Sequence, residues 1–188
     1  MKVVALHTNY KKHIKRALQG NRRAQYELYQ CFAPKMLSVC RQYLKSVELA
    51  EEVMSNGFLK VFTRLDSFKH EGSFEGWIRR IMVNECISQL RKEKRLHFQE
   101  PEGIENSAAH VSYMETELEV EVIQKLIDAL PDGYRTVFVL YAIEGYKHGE
   151  IAEMLQISEN TSKSQLHKAR KELQEKLNVL KNTHYGTR

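Results

Sequence analysis

Residues 130–173, LPDGYRTVFVLYAIEGYKHGEIAEMLQISENTSKSQLHKARKEL, carry the pattern that decides the fold. Two short helical periods meet there at a tight break. The first, 150–155, sets apolar residues at Ile151, Ala152 and Leu155; Gln156, Ile157 and Ser158 then turn the chain, and Ser158 offers an N-cap to the next helix. At 3.6 residues per turn, Ser162, Leu166, Ala169 and Leu173 share one side of that helix. Asn160, Ser164, His167, Lys168 and Lys171 fall on the opposite side. The spacing predicts a helix-turn-helix whose inner face packs and whose outer face carries donors and cations.

A major groove accepts such an outer face. The first two turns of a helix laid in it reach base edges, where small or forked polar side chains pair with them. Lys163 and Arg170 project on the flanks, at the height of phosphates. A charged helical stripe is more often only a solvated face. Here the turn, the N-cap and the apolar positions of the preceding helix agree with one another, and together they favour the DNA reading.

Working outward, a 188-residue chain with 42% hydrophobic residues holds enough apolar material for one core or for two small domains. The net charge of +5 decides little, but its distribution is informative. Residues 77–95 hold Arg79, Arg80, Arg91, Lys92, Lys94 and Arg95 against Glu85 and Glu93. No Lys or Arg occurs in 96–124, a stretch that contains Glu100, Glu102, Glu105, Glu115, Glu117, Glu119 and Glu121. Separate basic and acidic blocks suit a nucleic-acid binder with an acidic connector.

Cys31, Cys40 and Cys86 are odd in number, lack CxxC spacing and sit in apolar helical surroundings. They read as buried free thiols in a reducing compartment. The VVAL near the N-terminus is too short for a signal-peptide core, and no apolar run approaches membrane-spanning length. The sequence therefore predicts a soluble, cytoplasmic protein.

The apolar period is helical almost everywhere, and no useful alternating run occurs, so the predicted class is all-α. Residues 11–46 read as two or three helices, with Pro34 either starting a new one or kinking a longer one. Residues 47–65 form a further helix, with Leu49, Val53, Met54, Phe58, Val61, Phe62 and Leu65 on its buried side. After the break DSFKHEGS comes a long helix over 74–95. The aperiodic HFQEPEGIENSAAHVS is a linker. It leads into a helix from about Met114, and Pro131 begins the next. The expected organisation is a helical domain over 10–96, an acidic flexible linker over 97–113 and a second helical domain over 114–180, with a frayed tail beyond.

The 74–95 helix has two faces. Phe74, Ile78, Ile81 and Met82 form the packing side, while Arg80, Asn84, Ser88 and Arg91 recur along another. Trp77 sits at the edge. Such a stripe holds a phosphate backbone, pairs with a base and stacks an unstacked one. Alone, Trp77 reads first as a core anchor and Asn84 as an exposed helix polar residue.

These features in this order resemble the extracytoplasmic-function group of bacterial RNA polymerase sigma factors, over about 14–177. ELAEEVMSNGFLKVFTRLDSF followed by FEGWIRRIMVNECISQLRKEKR is similar to their region two. LPDGYRTVFVLYAIEGY, EIAEMLQIS and TSKSQLHKARKEL are similar to region four. The resemblance implies a promoter-recognition factor rather than an enzyme. It places core-polymerase docking on the helix bearing Glu51, Glu52, Ser55, Asn56, Phe58 and Phe62. Minus-ten recognition and melting fall to Phe68, Lys69, Ser73, Trp77, Arg80, Asn84, Ser88 and Arg91, with the 68–73 loop and Asn84 forming a pocket for an unstacked base. Minus-thirty-five reading falls to Asn160, Thr161, Lys163, Ser164, His167, Lys168, Arg170 and Lys171. It further implies a flap contact for region four, an acidic linker threading into the polymerase, and a membrane-tethered anti-sigma partner. One motif departs. Family members commonly carry Asp, then Gln and Glu three and four residues on, where this chain has Glu52, Ser55 and Asn56. Gly57 in the same helix costs about 1 kcal/mol against Ala.

The chain has no GxxxxGK, GxGxxG, nucleophile elbow or HExxH, and its eight His are scattered, so no catalytic, metal, cofactor or small-molecule role is assigned. Two rivals stand beside the sigma reading: a helix-turn-helix regulator acting on duplex DNA, and a helical adaptor that binds only protein. The first leaves region two without a purpose and the second leaves the basic stripes without one.

Overall fold

The computed structural model describes residues 10–93, 96 and 120–185. The expected linker 97–113, the acidic run 100–119, the start of the helix at Met114, and Lys94 and Arg95 lie outside the described residues. Within them the structure contains eight α-helices and no strand. No helix there is long and apolar enough to cross a membrane. The chain divides into two units, one ending at Gln89 and the other beginning at Leu90.

In the first unit, α1 (Tyr10–Leu18), α2 (Arg22–Tyr43) and α3 (Val47–Thr63) precede a 3-10 turn, Leu65–Ser67, and α4 (Phe74–Lys92), whose last three residues run past the boundary. Polar residues start the helices: Asn21 Oδ1 accepts from Ala24 N at 3.0 Å, and Ser46 Oγ accepts from Leu49 N at 3.1 Å. Pro34 lies inside α2, so it begins no new helix. Seven residues of α2, from Ala24 to Tyr43, are buried at helical spacing, and this face outweighs the one hydrogen bond a proline forgoes. Ile14 and Ala17 of α1, Val53, Met54, Phe58 and Val61 of α3, and Ile78, Met82, Val83 and Cys86 of α4 complete the core.

Gly57 explains how closely α3 and α4 approach. A Cβ at this position would overlap the Met82 Sδ and stand 2.9 Å from Met82 Cε. The glycine that weakens the helix in isolation thus admits the Met82 side chain. Of the thiols expected to be buried, Cys40 and Cys86 are, whereas Cys31 is exposed, with its sulfur 3.3 Å from the Tyr10 hydroxyl. Helical position overrides the apolar neighbours of Cys31 in sequence.

In the second unit, α5 (Val120–Asp128) and α6 (Asp132–Phe138) are followed by a wider π-type turn over Val139–Ile143, then α7 (His148–Leu155) and α8 (Glu159–Tyr185). α5, α6 and α7 all pack on α8. The turn closes with Glu144 N donating to Val139 O and Tyr146 N to Leu140 O, both at 2.9 Å, and Gly145 takes the left-handed φ of +78° that this stop requires. Arg135 is fully buried and its Nη2 donates to Asp132 Oδ1 at 2.7 Å. Helix α8 runs to Tyr185 rather than ending near Leu180, since no Gly or Pro interrupts it before Gly186.

Candidate nucleic-acid interfaces

The loop between Phe68 and Phe74 is pinned at both ends. Phe68 is buried, its ring 5.1 Å from Phe74 and 5.4 Å from Trp77, and Phe74 meets Phe32 of α2 edge-on at 5.6 Å. Lys69, His70, Glu71, Gly72 and Ser73 between these anchors are exposed. Two of them have left-handed backbones, His70 at φ +58° and Gly72 at +100°. Ser73 Oγ accepts from Gly76 N at 2.9 Å and so caps α4. Phe68, expected at the strand-binding surface, is instead an aromatic anchor of the core, because its ring fills the space under the loop. Trp77 is half-buried and stacked on Phe74, with centroids 5.7 Å apart and planes at 19°. It is therefore both packed and accessible at one edge.

Along α4, Arg80, Asn84, Ser88 and Arg91 are all exposed, and Ile78, Met82, Val83 and Cys86 are buried behind them. The described structure thus brings a two-cation, amide-bearing stripe and the exposed loop tip onto one helix and its entry. Lys60 of α3 pairs with Glu85 at 2.6 Å and Lys35 of α2 with Glu75 at 2.9 Å, which ties α4 to both neighbours from its flanks.

On α3, Glu51, Glu52, Ser55 and Asn56 are exposed, with Ser55 Oγ donating to Glu51 O at 2.8 Å. Phe58, counted both as buried and as a docking residue, is a core residue at 3% exposure, packed edge-on to Tyr29. Phe62 is half-buried beside it, 6.1 Å between centroids. Sequence reasoning passed over Leu59, a large apolar side chain left 65% exposed. Its signal was available: positions 52, 55, 56, 59 and 63 share one face of a 3.6-residue helix.

The turn before α8 follows the expected geometry. Gln156 adopts φ +56° to end α7, Ile157 N donates to Ala152 O at 3.1 Å, and Ser158 Oγ accepts from Thr161 N at 2.9 Å. The outer face is narrower than the sequence implied. Thr161 and Ser164 are buried, the Ser164 hydroxyl donating to Thr161 O at 2.9 Å, and Gln165 is fully buried too. With α5, α6 and α7 all gripping α8, the buried arc from Ser164 round to Leu166 spans about 200°. Thr161 and Ser164 therefore move from the base-reading set to the packed side. Asn160, Lys163, His167, Arg170 and Lys171 are exposed on the remaining arc, while Lys168 is half-buried and falls about 40° inside the packed one.

Charges on that arc are partly prearranged. Lys163 pairs with Glu159 at 2.9 Å, and this hydrogen bond holds the Glu159 carboxyl below its ordinary range. The Arg170 guanidinium stands 5.6 Å over the ring of Tyr141, on which His148 also stacks at 4.5 Å. His148 Nδ1 lies 2.9 Å from the Ser162 hydroxyl and joins the start of α7 to α8. Burial first, then Lys163, lowers the His148 pKa below its usual value. Among the described residues no group of three or more His, Cys, Asp or Glu converges.

The two helical units match the family models described as Sigma-70 region 2, over residues 28–96, and Sigma-70, region 4, over 121–173. Together they define a two-region chain of the sigma-70 class. The ECF RNA polymerase sigma factor SigW of Bacillus subtilis is 30% identical over 183 residues, covering 90% of this chain and 97% of that protein. The ECF RNA polymerase sigma factor SigM of Mycobacterium tuberculosis is 27% identical over 161 residues, covering 86% and 81%. The fold is similar to that of the sigma factor RpoE, solved in complex with the anti-sigma factor NepR from Bartonella quintana, with TM-score 0.54, 22% identity and coverage of 82% of this chain and 96% of that one. The chain belongs to the extracytoplasmic-function sigma factors, a family of transcription initiation factors and not of enzymes.

Proposed function

We propose that this chain binds core RNA polymerase and directs initiation at particular promoters in response to an envelope or extracellular signal. The observation that carries the reading is the pairing of two exposed faces suited to DNA, one in each matched region. The α4 stripe of Arg80, Asn84, Ser88 and Arg91 beside the 68–73 loop suits a melted minus-ten strand, and the α8 arc of Asn160, Lys163, His167, Arg170 and Lys171 suits a minus-thirty-five duplex. Polymerase docking falls to the outer face of α3, where Glu51, Glu52, Ser55 and Asn56 surround the exposed Leu59. An apolar side chain ringed by polar ones is the usual anatomy of a protein-binding patch.

In this reading residues 10–96 and 114–180 are the working domains, and 97–113 is the acidic tether between them. The protein acts in the cytoplasm, needs no cofactor or metal, performs no chemistry of its own, and is held in check by an anti-sigma protein tethered to the membrane. Run-off transcription from a promoter library, with the purified chain added to core polymerase, tests the reading. Promoter-specific transcripts that depend on the chain are expected. Binding to duplex promoter DNA without polymerase, and no stimulation with it, would replace the sigma reading by a regulator.

A further inference from the structure

The cationic surface of α1 belongs to neither face described above. Lys11, Lys12, Lys15 and Arg16 are exposed on an arc of about 140°, opposite the buried Ile14 and Ala17. No Asp or Glu occurs in α1, which distinguishes it from the other described α-helices. Among the described residues none of these four cations forms an ion pair, whereas Lys163 of α8, Lys60 of α3 and Lys35 of α2 each have a carboxylate. Lys11 with Lys15, and Lys12 with Arg16, are like charges at i,i+4, an arrangement that works against the helix carrying it. An anion lying along the face would remove that penalty.

Position singles out the anion. Helix α1 packs against the Leu65–Ser67 turn that leads into the loop. Tyr10 and Lys11 form one wall of a cleft whose other wall is Phe68, His70 and Gly72. The cations therefore continue directly from the exposed loop tip, where Lys69 and His70 stand.

We propose that the Lys11, Lys12, Lys15, Arg16 face of α1 holds the phosphodiester backbone of the promoter strand beside the segment engaged by the 68–73 loop, as a third DNA contact of this chain. The inference rests on the promoter-binding reading above. Such a contact is electrostatic and indifferent to sequence: it positions the strand, and the loop and α4 read it. A cationic helix with a polyanion next to it also speeds association and makes the complex sensitive to salt.

The test uses the full chain assembled with core polymerase and a fork-junction promoter DNA whose minus-ten segment is single-stranded. The variant Lys11→Ala/Lys12→Ala/Lys15→Ala/Arg16→Ala is expected to bind at least about tenfold more weakly at physiological salt. Its slope of log affinity against log salt should fall by up to about three, at about 0.7 for each of the four single-strand phosphates that the variant no longer neutralises. The corresponding arginine set, Lys11→Arg/Lys12→Arg/Lys15→Arg, should bind as wild type, and a photocrosslinker placed at position 15 should label the DNA strand. Circular dichroism checks that the alanine set remains folded, and if it does not, the crosslink decides. A wild-type slope in the folded alanine set overturns the inference, as does a crosslink that lands on a polymerase subunit or on nothing. If the wild-type chain forms no salt-dependent complex with polymerase and promoter at all, the proposed function falls first. A normal wild-type complex with an unaltered variant defeats the α1 proposal alone.

Discussion

Gly57→Ala ought to stabilise a helix, and in this protein it should do the reverse. In an exposed helix interior the exchange gains about 1 kcal/mol through propensity and a less free unfolded chain. At Gly57 the new methyl would overlap the thioether of Met82, which is 0% exposed, with Cε at 2.9 Å and Glu85 Cγ at 3.8 Å. Extra volume in a filled core costs about 1 to 3 kcal/mol, and the pliancy of a methionine end keeps the figure from rising further. The overlap is direct and Met82 has core on every side, so the upper half of that range applies. The net expectation is a loss of about 1 to 2 kcal/mol. Trp77 is the sole tryptophan and lies in the same unit, so its fluorescence during urea unfolding reports on this unit without interference from the other. A double-mutant cycle then isolates the cause. Met82→Ala alone should cost about 2 to 5 kcal/mol through its cavity. Once the thioether is gone, Gly57→Ala should become neutral or stabilising, a coupling of about 2 kcal/mol. A raised midpoint for Gly57→Ala alone, or additive effects in the cycle, would refute the close-approach account of this glycine.

Other expectations concern the second unit. Asp132→Ala leaves the fully buried Arg135 without the carboxylate at 2.7 Å, and should destabilise the unit by about 3 kcal/mol or more, read as faster amide exchange at Val137 and Leu140. The folded pKa of His148 lies below its unfolded value near 6.5, so its contribution to stability is complete above about pH 6.5 and is lost as pH falls from there through the folded pKa. His148→Phe, which keeps a ring on Tyr141, should flatten that segment of the stability profile, and an NMR titration of wild type should place the His148 pKa below that of an exposed histidine. In selections from randomised minus-thirty-five sequences by the polymerase-bound protein, Ser164→Ala should retain the wild-type consensus. His167→Ala should relax one or two positions at about 1 to 3 kcal/mol each; the opposite pattern would mean that α8 presents a different face to DNA.

Where local chemistry decides the backbone, the sequence was readable. Ser158, placed between two periodic runs, could be read as an N-cap, and its hydroxyl makes that bond. The all-α class and the exposed α4 stripe followed from the 3.6-residue period in the same way. Partner geometry was not readable from one helix at a time. Ser164 reads as an outward polar residue until three helices are known to close on α8, and Gly57 reads as a weakness until Met82 is known to lie against it. Phe68 enters the minus-ten set only through the family resemblance, which carries over a position and not its burial; a ring at a loop entry also has the option of filling the core, and here it does. Leu59 was legible from the period that sets it on one face with positions 52, 55, 56 and 63. The π-type turn at Val139–Ile143 has no sequence signature, since its residues differ in no way from those of an ordinary helix.

The double anchoring of the 68–74 loop has an evolutionary consequence. Phe68 and Phe74 hold the loop to the core and Ser73 caps α4, so residues 69–72 between them carry little of the protein's stability and are free to diverge. Their sole backbone demands are the two left-handed positions, one already a glycine. A lineage can therefore exchange the loop tip, and with it any preference that the tip imposes on a melted strand, without passing through an unfolded ancestor. Duplicated copies of such a gene can drift toward separate sets of target genes by changing a handful of codons, and an engineer can take the same route by grafting tips between paralogues.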